Sequence, residues 1–408
     1  MKVLVVGSGA REHALAWKLR QSSDLTELHA APGNPGIAEL GECHPVRAED
    51  AEGLLSLSRE LGAGLVVVGP EAPLVAGLVD ALRKGGIAAF GPTRAAARIE
   101  GSKSFAKEVL EAAGVPTARR LSVARPPCVV KADGLAAGKG VFVCRTQEEL
   151  DSGLQALAAM GGDVVIEELL EGEEVSLFAI ADGAHAIALA PAQDFKRIGD
   201  GDTGPNTGGM GSYSPVPGVG EPEVEELLET VHRPVLDELA RRGTPFSGLL
   251  YAGLMLTEDG SRVLEFNCRF GDPETQSILP RVESDLLPLL HAAATGELAG
   301  AEAAIGEAAT VTVVVAGGEY PERSDRGTPI DGVEEAESPD VHVFHAGTAR
   351  RGKQLVTNGG RILAVTAEAD ELAAARAKAY EAVGRISFDG MRFRGDIALA
   401  AAEGHVRT

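Results

Sequence analysis

The stretch KVLVVGSGAREHALAWKL, residues 2–19, decides the fold class of the N-terminal part of the chain. Its apolar run through Val6 is short and continuous, which is typical of a buried parallel strand. A glycine turn ends this run, and apolar residues at helical spacing follow it. The same order of strand, glycine-rich turn and helix returns around Gly69 and Gly91. This repetition predicts a doubly wound α/β sheet over about residues 1–101.

The rest of the chain mixes strands and helices. Ser102 opens a predicted helix that stops at Gly114, and single helices are predicted over residues 74–84 and 223–241. Strands are predicted over residues 128–131, 141–144, 164–168, 175–181, 249–257, 262–268, 310–316 and 361–366. The last part is predicted to be a small C-terminal α+β domain.

Composition and charge narrow the classes of function. The 408 residues contain 38 Lys and Arg against 60 Asp and Glu, so the formal net charge is −22. Such a surface repels nucleic acid and acidic membranes, although it does not forbid a local phosphate site. The four cysteines are scattered without a CxxC pair, which disfavours zinc and disulfide scaffolds and indicates a reducing cytoplasm. No apolar stretch approaches the roughly 18 residues of a membrane span.

The first glycine turn, VGSGARE at residues 6–12, half-matches the dinucleotide-binding fingerprint. Its third glycine position holds Glu12, and the sequence HAAPG around residue 30 lacks the acid that would bind a ribose hydroxyl. A nicotinamide cofactor is therefore the weaker interpretation. A structural turn and a phosphate-binding helix N-terminus remain as equal alternatives. Asn34 and Glu71 follow the second and fourth strands, at the carboxyl ends where such sheets bind ligands.

A second glycine-rich loop, VKADGLAAGKGV at residues 130–141, superficially resembles a Walker loop. Its GxxxGK spacing is one residue short, and Gly140 stands where Ser or Thr should bind magnesium. The loop also lies between two predicted strands, whereas a Walker loop runs from a strand into a helix. We therefore expect a hairpin with a lysine at each end that folds over a triphosphate as a lid. The alternative is an ordinary hairpin without a ligand.

The acidic linker EELLEGEE, residues 167–174, joins two predicted strands. Its backbone offers donors and acceptors to an adenine, and Glu174 is placed to accept both ribose hydroxyls. Taken alone, an acidic run of this kind is more often a solvated turn.

The segment LEFNCR, residues 264–269, alternates strictly between apolar and polar side chains. With a period of two, Glu265, Asn267 and Arg269 share one face of a strand. Carboxylate and amide oxygens suit Mg²⁺, which takes one or two carboxylates beside phosphate oxygens and water. Arg269 suits a bidentate contact with a carboxylate or a developing phosphoryl charge. The alternative is a solvent-facing polar edge strand, which the Gly-Asp-Pro turn directly after the segment disfavours.

These motifs together resemble the ATP-grasp superfamily, and within it the glycinamide ribonucleotide synthetase family. The resemblance runs nearly from end to end, and its most specific strings are GDGDTGPNTGGMG at 199–211 and EFNCRFGDPE at 265–274. Further matching strings are GSGAREHALAWKL (7–19), APGNPG (31–36), GPEAPL (69–74), GSKSFAK (101–107), VKADGLAAGKGV (130–141), EELLEGEEVS (167–176) and TNGGRILAVTA (357–367).

The resemblance implies an activity and a set of ligands. Glycine would attack the γ-phosphate of ATP to form glycyl phosphate, and the amine of 5-phosphoribosylamine would then attack the acyl carbon. ADP, phosphate and glycinamide ribonucleotide would be released, as a step of purine biosynthesis. ATP would be the co-substrate and Mg²⁺ or Mn²⁺ the metal. We expect a cytoplasmic monomer with these small-molecule partners, glycine and 5-phosphoribosylamine, and without nucleic-acid or membrane partners.

The resemblance also implies an ATP-grasp fold in four parts. These are an N-terminal substrate-binding α/β domain over 1–101, a central domain over 102–120 and 187–318, a lid over 121–186 and a C-terminal domain over 319–408.

Individual roles follow from the resemblance, position by position. The residues implied to bind ATP are Lys103, Lys131, Gly134, Gly138, Lys139, Gly140, Glu167, Leu170 and Glu174. Those implied to bind the metal are Glu265 and Asn267. Those implied to border glycine and the acyl phosphate are Arg269, Asp272, Asp194, Lys196, Gly208, Gly209, Met210 and Gly211. Those implied to hold phosphoribosylamine are Gly9, Asn34, Gly36 and Glu71.

Two positions depart from the family pattern. Phe195 stands where the family usually has histidine, so an imidazole there is dispensable in this chain or is not catalytic. Ala10 replaces a more usual glycine, which weakens a direct backbone role for that residue. The competing hypotheses are a sibling ATP-grasp ligase or carboxylase with another substrate, and a Rossmann oxidoreductase that uses the N-terminal sheet alone. A nucleic-acid-binding module is disfavoured by the net charge.

Overall fold

The computed structural model describes residues 1–136 and 140–404. The strands of the N-terminal part are β1 (Lys2–Gly7), β2 (Glu27–Pro32), β3 (Glu42–Cys43), β4 (Leu65–Val68) and β5 (Ala89–Phe90). The helices are α1 (Ala10–Leu19), α2 (Ile37–Leu40), α3 (Ala51–Leu61), α4 (Glu71–Ala76), α5 (Leu78–Lys84) and α6 (Arg94–Gly101). The strands form one parallel sheet in the order β3-β2-β1-β4-β5.

The predicted doubly wound sheet is confirmed. The apolar runs of β1 and β4 are almost fully buried, as continuous apolar strands in a covered parallel sheet are. The strand order reverses between β1 and β4, and the crevice outside their carboxyl ends is where such sheets bind ligands. The single helix predicted over 74–84 is divided, because Gly77 has a φ of +96° and ends α4 in the left-handed conformation.

Helix α7 (Lys103–Ala113) leads into a small α/β unit. Its elements are β6 (Cys128–Ala132), β7 (Val141–Cys144), α8 (Gln147–Met160) and β8 (Val164–Glu168). The strands are antiparallel in the order β7-β6-β8, and α8 packs against β6 and β7. The second glycine-rich loop therefore joins two paired strands, as predicted, and a Walker loop is excluded.

The central part contains β9 (Glu173–Asp182), β10 (Ala186–Ala188), β15 (Ser247–Thr257) and β16 (Gly260–Asn267), with the ribbon β12 (Arg197–Gly199) and β13 (Thr203–Asn206). Its helices are α9 (Glu221–Leu227), α10 (Arg233–Arg241), α11 (Glu274–Ile278) and α12 (Leu286–Thr295). The main sheet is antiparallel in the order β10-β9-β15-β16. The helix predicted over 223–241 is interrupted by a π-helical turn at Leu228–His232. Pro234 in the first turn of α10 has no N–H to donate, which accounts for the changed hydrogen bonding.

The C-terminal part shares a sheet with the central part. This antiparallel sheet runs in the order β11 (Gln193–Asp194), β14 (Gly211–Ser214), β17 (Ala309–Ala316), β22 (Arg361–Ala369) and β19 (Val341–His345). A second sheet contains β18 (Asp325–Pro329), β21 (Gln354–Gly359) and β20 (Thr348–Arg351), and the helices are α13 (Val333–Ala336), α14 (Leu372–Val383) and α15 (Leu399–Ala402). The sequence does not predict this second sheet, because its partly exposed polar strands contain no apolar run.

Among the described residues, no helix combines the length and the apolar composition needed to cross a bilayer.

Candidate active site

The polar face of β16 lies at the centre of the candidate site. Phe266 is buried, whereas Glu265 and Asn267 are only partly buried, in keeping with the period of two. The strand ends at Asn267, so Arg269 lies in the bend just after it and is also partly buried. The pairing of β15 with β16 shifts register beside Leu264. This bulge leaves Leu264 partly exposed, although the alternation places it on the apolar face.

Glu265 and Asn267 are the residues that fit a divalent metal. A carboxylate and an amide oxygen on one face of a strand end are the hard ligands that Mg²⁺ and Mn²⁺ take. Glu265 forms no ion pair with any residue of the described ranges, so its oxygens are not consumed by the protein. Burial lowers the pKa of Lys103, and the nearby carboxylate of Glu265 opposes that lowering. A carboxylate suited to a metal and a cation suited to phosphate thus lie within electrostatic reach of each other.

Three charged side chains are buried beneath the small α/β unit. Glu167 pairs with Lys107 through one oxygen and with Lys131 through the other, each at 2.7 Å, and its side chain is 2% exposed. Lys131 also donates to the carbonyl of Leu264 at 3.0 Å. Because both carboxylate oxygens are engaged, the Glu167 side chain holds two lysines in place instead of facing a ligand. The sequence analysis missed Lys107, although it follows Lys103 by four residues and so lies on the same face of α7.

The glycine-rich hairpin meets α7 at the start of that helix. The Lys103 ammonium donates to the carbonyl of Gly134 at 3.1 Å. Gly134 has a φ of +135°, and among the described residues no atom lies within 4 Å of the place where a Cβ would stand. Gly140 is buried at the base of the hairpin. The predictions for Gly138 and Lys139 fall outside the described residues.

The linker between β8 and β9 leads from the partly buried Leu170 to Glu174. Glu174 accepts a hydrogen bond from Lys196 at 2.6 Å, and 43% of its side chain remains exposed. The ammonium of Lys196 lowers the pKa of Glu174, which is therefore an anion with oxygen surface open to a ligand.

Lys196 lies between two carboxylates. Besides Glu174, it contacts Asp194 at 2.8 Å. Burial raises the pKa of Asp194 above its usual range, although the Lys196 ammonium opposes this. Phe195 is buried, and the Arg394 guanidinium lies 4.9 Å from the centre of its ring. A histidine at that position would therefore point into the C-terminal part, away from Asp194 and Lys196.

Arg269 connects the central strand to the N-terminal sheet. Its guanidinium forms ion pairs with Glu71 at 3.1 Å and with Glu100 at 3.2 Å. Although burial opposes ionisation of Glu71, the charges of Arg269 and Arg11 lower its pKa to about 2. Burial raises the pKa of Glu100 in spite of the same guanidinium. Because Glu71 opens α4 shortly after the end of β4, its pairing with Arg269 joins the carboxyl edge of the parallel sheet to the end of β16.

The first glycine turn is filled by a side chain of its own helix. The Glu12 carboxylate accepts hydrogen bonds from the Gly9 backbone and from Arg11, each at 2.6 Å. A Cβ at Gly7 would lie 2.6 Å from the Glu12 side chain, and one at Gly69 would overlap it. These glycines are therefore required by Glu12 itself, which occupies the Gly9 N–H that a bound phosphate would use.

Asn34 and Gly36 lie against the C-terminal part of the chain. The Asn34 amide donates to the carbonyls of Ser8 at 2.9 Å and His345 at 2.8 Å, and its oxygen accepts from the first residue of α2. A Cβ at Gly36 would overlap the His13 ring. Both residues thus lie at the edge of the sheet, and their contacts join the N-terminal part of the chain to the C-terminal part.

Asp272 is held by a residue that the sequence analysis did not single out. Arg361 at the start of β22 donates to the side chain and to the carbonyl of Asp272, each at 2.9 Å, and also to the carbonyl of Gly208. Gly209 has a φ of +105°, and a Cβ there would lie 2.3 Å from the proline that follows Asp272. The loop over 208–211 therefore packs directly on the Asp272 turn. The sequence offered one signal for Arg361: it is a charged residue at the start of the apolar run in TNGGRILAVTA.

Family models of phosphoribosylglycinamide synthetase match three successive parts of the chain. The N domain matches residues 1–100, the ATP-grasp (A) domain residues 101–275 and the C domain residues 310–400. The phosphoribosylamine–glycine ligase of Streptomyces coelicolor is 53% identical, over 98% of this chain and 100% of that protein. The ligase of the same name from Rhizobium meliloti is 48% identical, over 98% of this chain and 99% of that protein.

Solved structures show the same likeness. The crystal structure of the phosphoribosylamine–glycine ligase of Thermotoga maritima matches with a TM-score of 0.83 at 32% identity, covering 98% of this chain and 100% of that chain. The biotin carboxylase domain of the Hydrogenobacter thermophilus 2-oxoglutarate carboxylase, in complex with MgADP and bicarbonate, matches with a TM-score of 0.70 at 18% identity. It covers 96% of this chain and 91% of its own, and this second likeness shows the fold alone.

Proposed function

This chain belongs to the phosphoribosylglycinamide synthetase family and uses ATP to ligate glycine to 5-phosphoribosylamine, and we propose that the residues around the end of β16 carry out that reaction. The reaction forms glycyl phosphate and then glycinamide ribonucleotide, with release of ADP and phosphate, in purine biosynthesis. ATP is the co-substrate, and the metal is Mg²⁺ or Mn²⁺. The single observation that carries the assignment is the ion pair of Arg269 with Glu71, because Arg269 lies just after the strand that bears Glu265 and Asn267 and Glu71 lies at the N-terminal edge.

The first step is phosphoryl transfer, which needs positioning and charge neutralisation more than a protein nucleophile. Lys103 and Lys131 hold the phosphates of ATP, and Gly134, Gly138, Lys139 and Gly140 of the hairpin cover them. Glu265 and Asn267 hold the metal, which when bound neutralises charge on the phosphate oxygens. Glu167 acts through Lys131, because its carboxylate engages that ammonium at 2.7 Å.

The nucleoside end of ATP lies along the linker before β9. Leu170 contributes its backbone to the adenine, and Glu174 accepts the ribose hydroxyls through its exposed oxygen surface. The Lys196 ammonium keeps Glu174 ionised, which is the state that accepts hydrogen bonds. Lys196, which contacts Glu174, and its partner Asp194 then lie near the glycine and the acyl phosphate.

The glycine carboxylate binds at Arg269, beside Asp272 and the loop over 208–211. A guanidinium suits a carboxylate because it offers paired donors in a fixed plane. The carboxylate oxygen attacks the γ-phosphorus and ADP leaves, so that the acyl phosphate forms next to the N-terminal edge.

Phosphoribosylamine approaches from the carboxyl edge of the parallel sheet, where Gly9, Asn34, Gly36 and Glu71 lie. Its amine attacks the acyl carbon, phosphate leaves, and the amine gives up a proton. Glu71 is suited to orient the ribosyl group because Arg269 and Arg11 keep it ionised. Arg361 positions Asp272 and closes this side of the site from the C-terminal part.

The remaining proposals concern organisation. We place the N-terminal domain at 1–101, the central domain at 102–120 and 187–318, the lid at 121–186 and the C-terminal domain at 319–408. We propose that the enzyme acts as a cytoplasmic monomer without nucleic-acid or membrane partners. Support for a monomer comes from the site itself, because the ion pairs Arg269–Glu71 and Arg361–Asp272 join its parts within one chain.

The test measures ADP release from MgATP with glycine, in the presence and absence of freshly made phosphoribosylamine. Sustained ADP release that needs both substrates is expected, with one ADP for each glycinamide ribonucleotide. Arg269→Lys keeps the charge but loses the bidentate contact, so we expect a raised KM for glycine with a smaller change in the KM for ATP. Turnover driven by bicarbonate in place of glycine, or an unchanged KM for glycine in Arg269→Lys, would contradict this assignment of the site.

A further inference from the structure

A cluster of histidines and carboxylates lies on the outer edge of the N-terminal sheet, away from β16. His29 in β2 and Glu42 in β3 are direct partners in the parallel register. His44 follows Glu42 by two residues, and Glu27 precedes His29 by two, so the four side chains project from the same face of the sheet edge. Among the described residues, His29, Glu42 and His44 are the one group of three or more histidine, cysteine or acidic side chains whose ligand atoms converge.

The distances within the cluster are those of a metal site. The His29 Nδ1 atom lies 3.1 Å from His44 Nε2 and 3.8 Å from the Glu42 carboxylate, and the three ligand atoms lie within 4.8 Å of one another. Two nitrogen ligands of one tetrahedral zinc, each at about 2.0–2.1 Å, stand roughly 3.4 Å apart. The observed separations bracket this value, so small side-chain shifts would suffice to seat an ion.

The fourth residue supplies a second, independent feature. The Glu27 carboxylate lies 3.3 Å from the other ring nitrogen of His29, Nε2, and 2.9 Å from the Lys2 ammonium. A carboxylate that accepts from one ring nitrogen leaves the lone pair on the other, which is how metal-binding histidines are commonly oriented. His29 is only 4% exposed, so its ring is held by the sheet with Nδ1 directed at His44 and Glu42.

We propose that His29, Glu42 and His44 bind a divalent transition metal of the Zn²⁺ class, with Glu27 orienting His29. Two imidazoles and one carboxylate suit Zn²⁺, whereas Mg²⁺ prefers oxygen ligands alone. The ligands are imidazole and carboxylate, so the absence of a cysteine pair does not count against them. The ion joins the edge strand β3 to β2, the strand that leads into the Asn34 loop, and therefore stabilises that edge.

The experiment uses the full chain after treatment with a chelator. Co²⁺ is titrated as a spectroscopic substitute for Zn²⁺, with excess Mg²⁺ present to occupy the oxygen-ligand site at Glu265 and Asn267. We expect one Co²⁺ per chain with the visible absorption of a low-coordinate nitrogen and oxygen site, displaced by added Zn²⁺. Zn²⁺ should also raise the melting temperature of the metal-free protein.

The variants separate a metal site from a mere hydrogen bond between two histidines. His44→Gln and Glu42→Gln should lose the Co²⁺ spectrum, melt like the metal-free wild type and keep glycine-dependent ADP release. Glu27→Gln should weaken binding by roughly 10–100-fold without abolishing it. His185→Gln is the matched control, because His185 is an exposed histidine that has a single carboxylate partner, Asp182. The proposal is overturned if the wild type shows no saturable Co²⁺ binding, or if His44→Gln binds as the wild type does.

Discussion

The two glycine-rich turns of this ligase look alike in sequence and differ in what occupies them. In the first turn, a Cβ at Gly7 would lie 2.6 Å from the Glu12 side chain. In the second, no described atom lies within 4 Å of a Cβ placed at Gly134, although its φ of +135° is also one that residues with a side chain rarely adopt. The glycines of the first turn make room for the carboxylate of Glu12. The space at the Cβ position of Gly134 in the second turn is filled by no described atom.

The difference teaches that a glycine motif alone does not mark a ligand. The sequence leaves a structural turn and a phosphate site equally open at residues 7–9, and the contacts of Glu12 favour the structural turn. At the hairpin, Lys103 donates a hydrogen bond to the carbonyl of Gly134, and no described atom lies within 4 Å of the Cβ position of that glycine. The same contrast holds for carboxylates, since Glu12 is engaged by the protein whereas Glu265 has no ion pair within the described residues.

The largest effect is expected at the ligand-facing carboxylate. Glu265→Gln should lower ADP formation by roughly 10³-fold, because it removes a charged metal ligand worth several kcal/mol of transition-state stabilisation. The melting temperature should not change, since the Glu265 side chain forms no ion pair with any described residue. Steady-state ADP release and thermal unfolding test both parts. Glu258→Gln, an exposed change in the turn of the same hairpin, is the control and should be silent. Wild-type turnover in Glu265→Gln would refute the metal assignment.

The next effect tests whether the first turn is filled. Gly7→Ala should lower the free energy of unfolding by about 3 kcal/mol, because it adds overlap with Glu12 to an unfavourable φ of +127°. Gly62→Ala is the matched control, since Gly62 also has a positive φ, +64°, but nothing lies within 4 Å of its Cβ position. Its cost should be about 1 kcal/mol. Urea unfolding at neutral pH measures the free energies of unfolding of both variants. Equal losses would show that the Glu12 side chain can move away from the added methyl group without a cost in stability.

The ion pair between Glu71 of the N-terminal part and Arg269, just after β16, should affect how the free energy of unfolding depends on pH. Burial opposes ionisation of Glu71, but Arg269 and Arg11 lower its pKa from the ordinary 4.5 to about 2. A lowered pKa stabilises the fold above the ordinary value, and that contribution is lost as the pH falls from 4.5 towards 2. Glu71→Gln should therefore cost about 1–2 kcal/mol at pH 7, and the gap to wild type should narrow between pH 5 and 3. Urea unfolding across that range gives the gap, and a gap independent of pH would contradict the assigned ion pair.

The smallest effect probes the open space of the second turn. Gly134→Ala should cost only about 1 kcal/mol of stability, because the strain is confined to the backbone. We expect a several-fold higher KM for ATP, since the added methyl group enters the space next to Lys103. Gly161→Ala, at the end of α8 with a φ of +75° and equally open surroundings, should match its stability cost without changing the KM. If both variants had the same KM for ATP, the proposal that ATP binds next to Gly134 would be contradicted.

Local patterns in the sequence predicted the parts of the fold that depend on neighbours along the chain. The apolar runs of β1 and β4 and the hairpin of β15 and β16 form where they were expected. Breaks within elements were missed where one residue overrides the pattern, as Gly77 does between α4 and α5. The sheet of β18, β20 and β21 was missed because partly exposed, polar strands carry no periodic signal.

The sequence identified candidate residues of the site, but it did not identify which of them contact residues far away in the chain. The sequence singled out Glu265, Asn267 and Arg269 from their alternation, and their chemistry follows from side-chain type. Arg361 and Lys107 were not singled out, because each acts on a residue far away in sequence. Arg361 bonds to Asp272 across 89 positions, and no local pattern encodes such a contact.

The amino-acid sequence was sufficient for the family and the reaction, through the resemblance of its motifs to a known family, and for the polar side chains of β16, through their alternation. The folded structure was needed to show which glycines and carboxylates are filled or engaged by the protein's own side chains. That choice depends on what fills the space around each one, and the occupant can come from any part of the folded chain: Glu12 fills the first turn, whereas no described side chain fills the space beside Gly134.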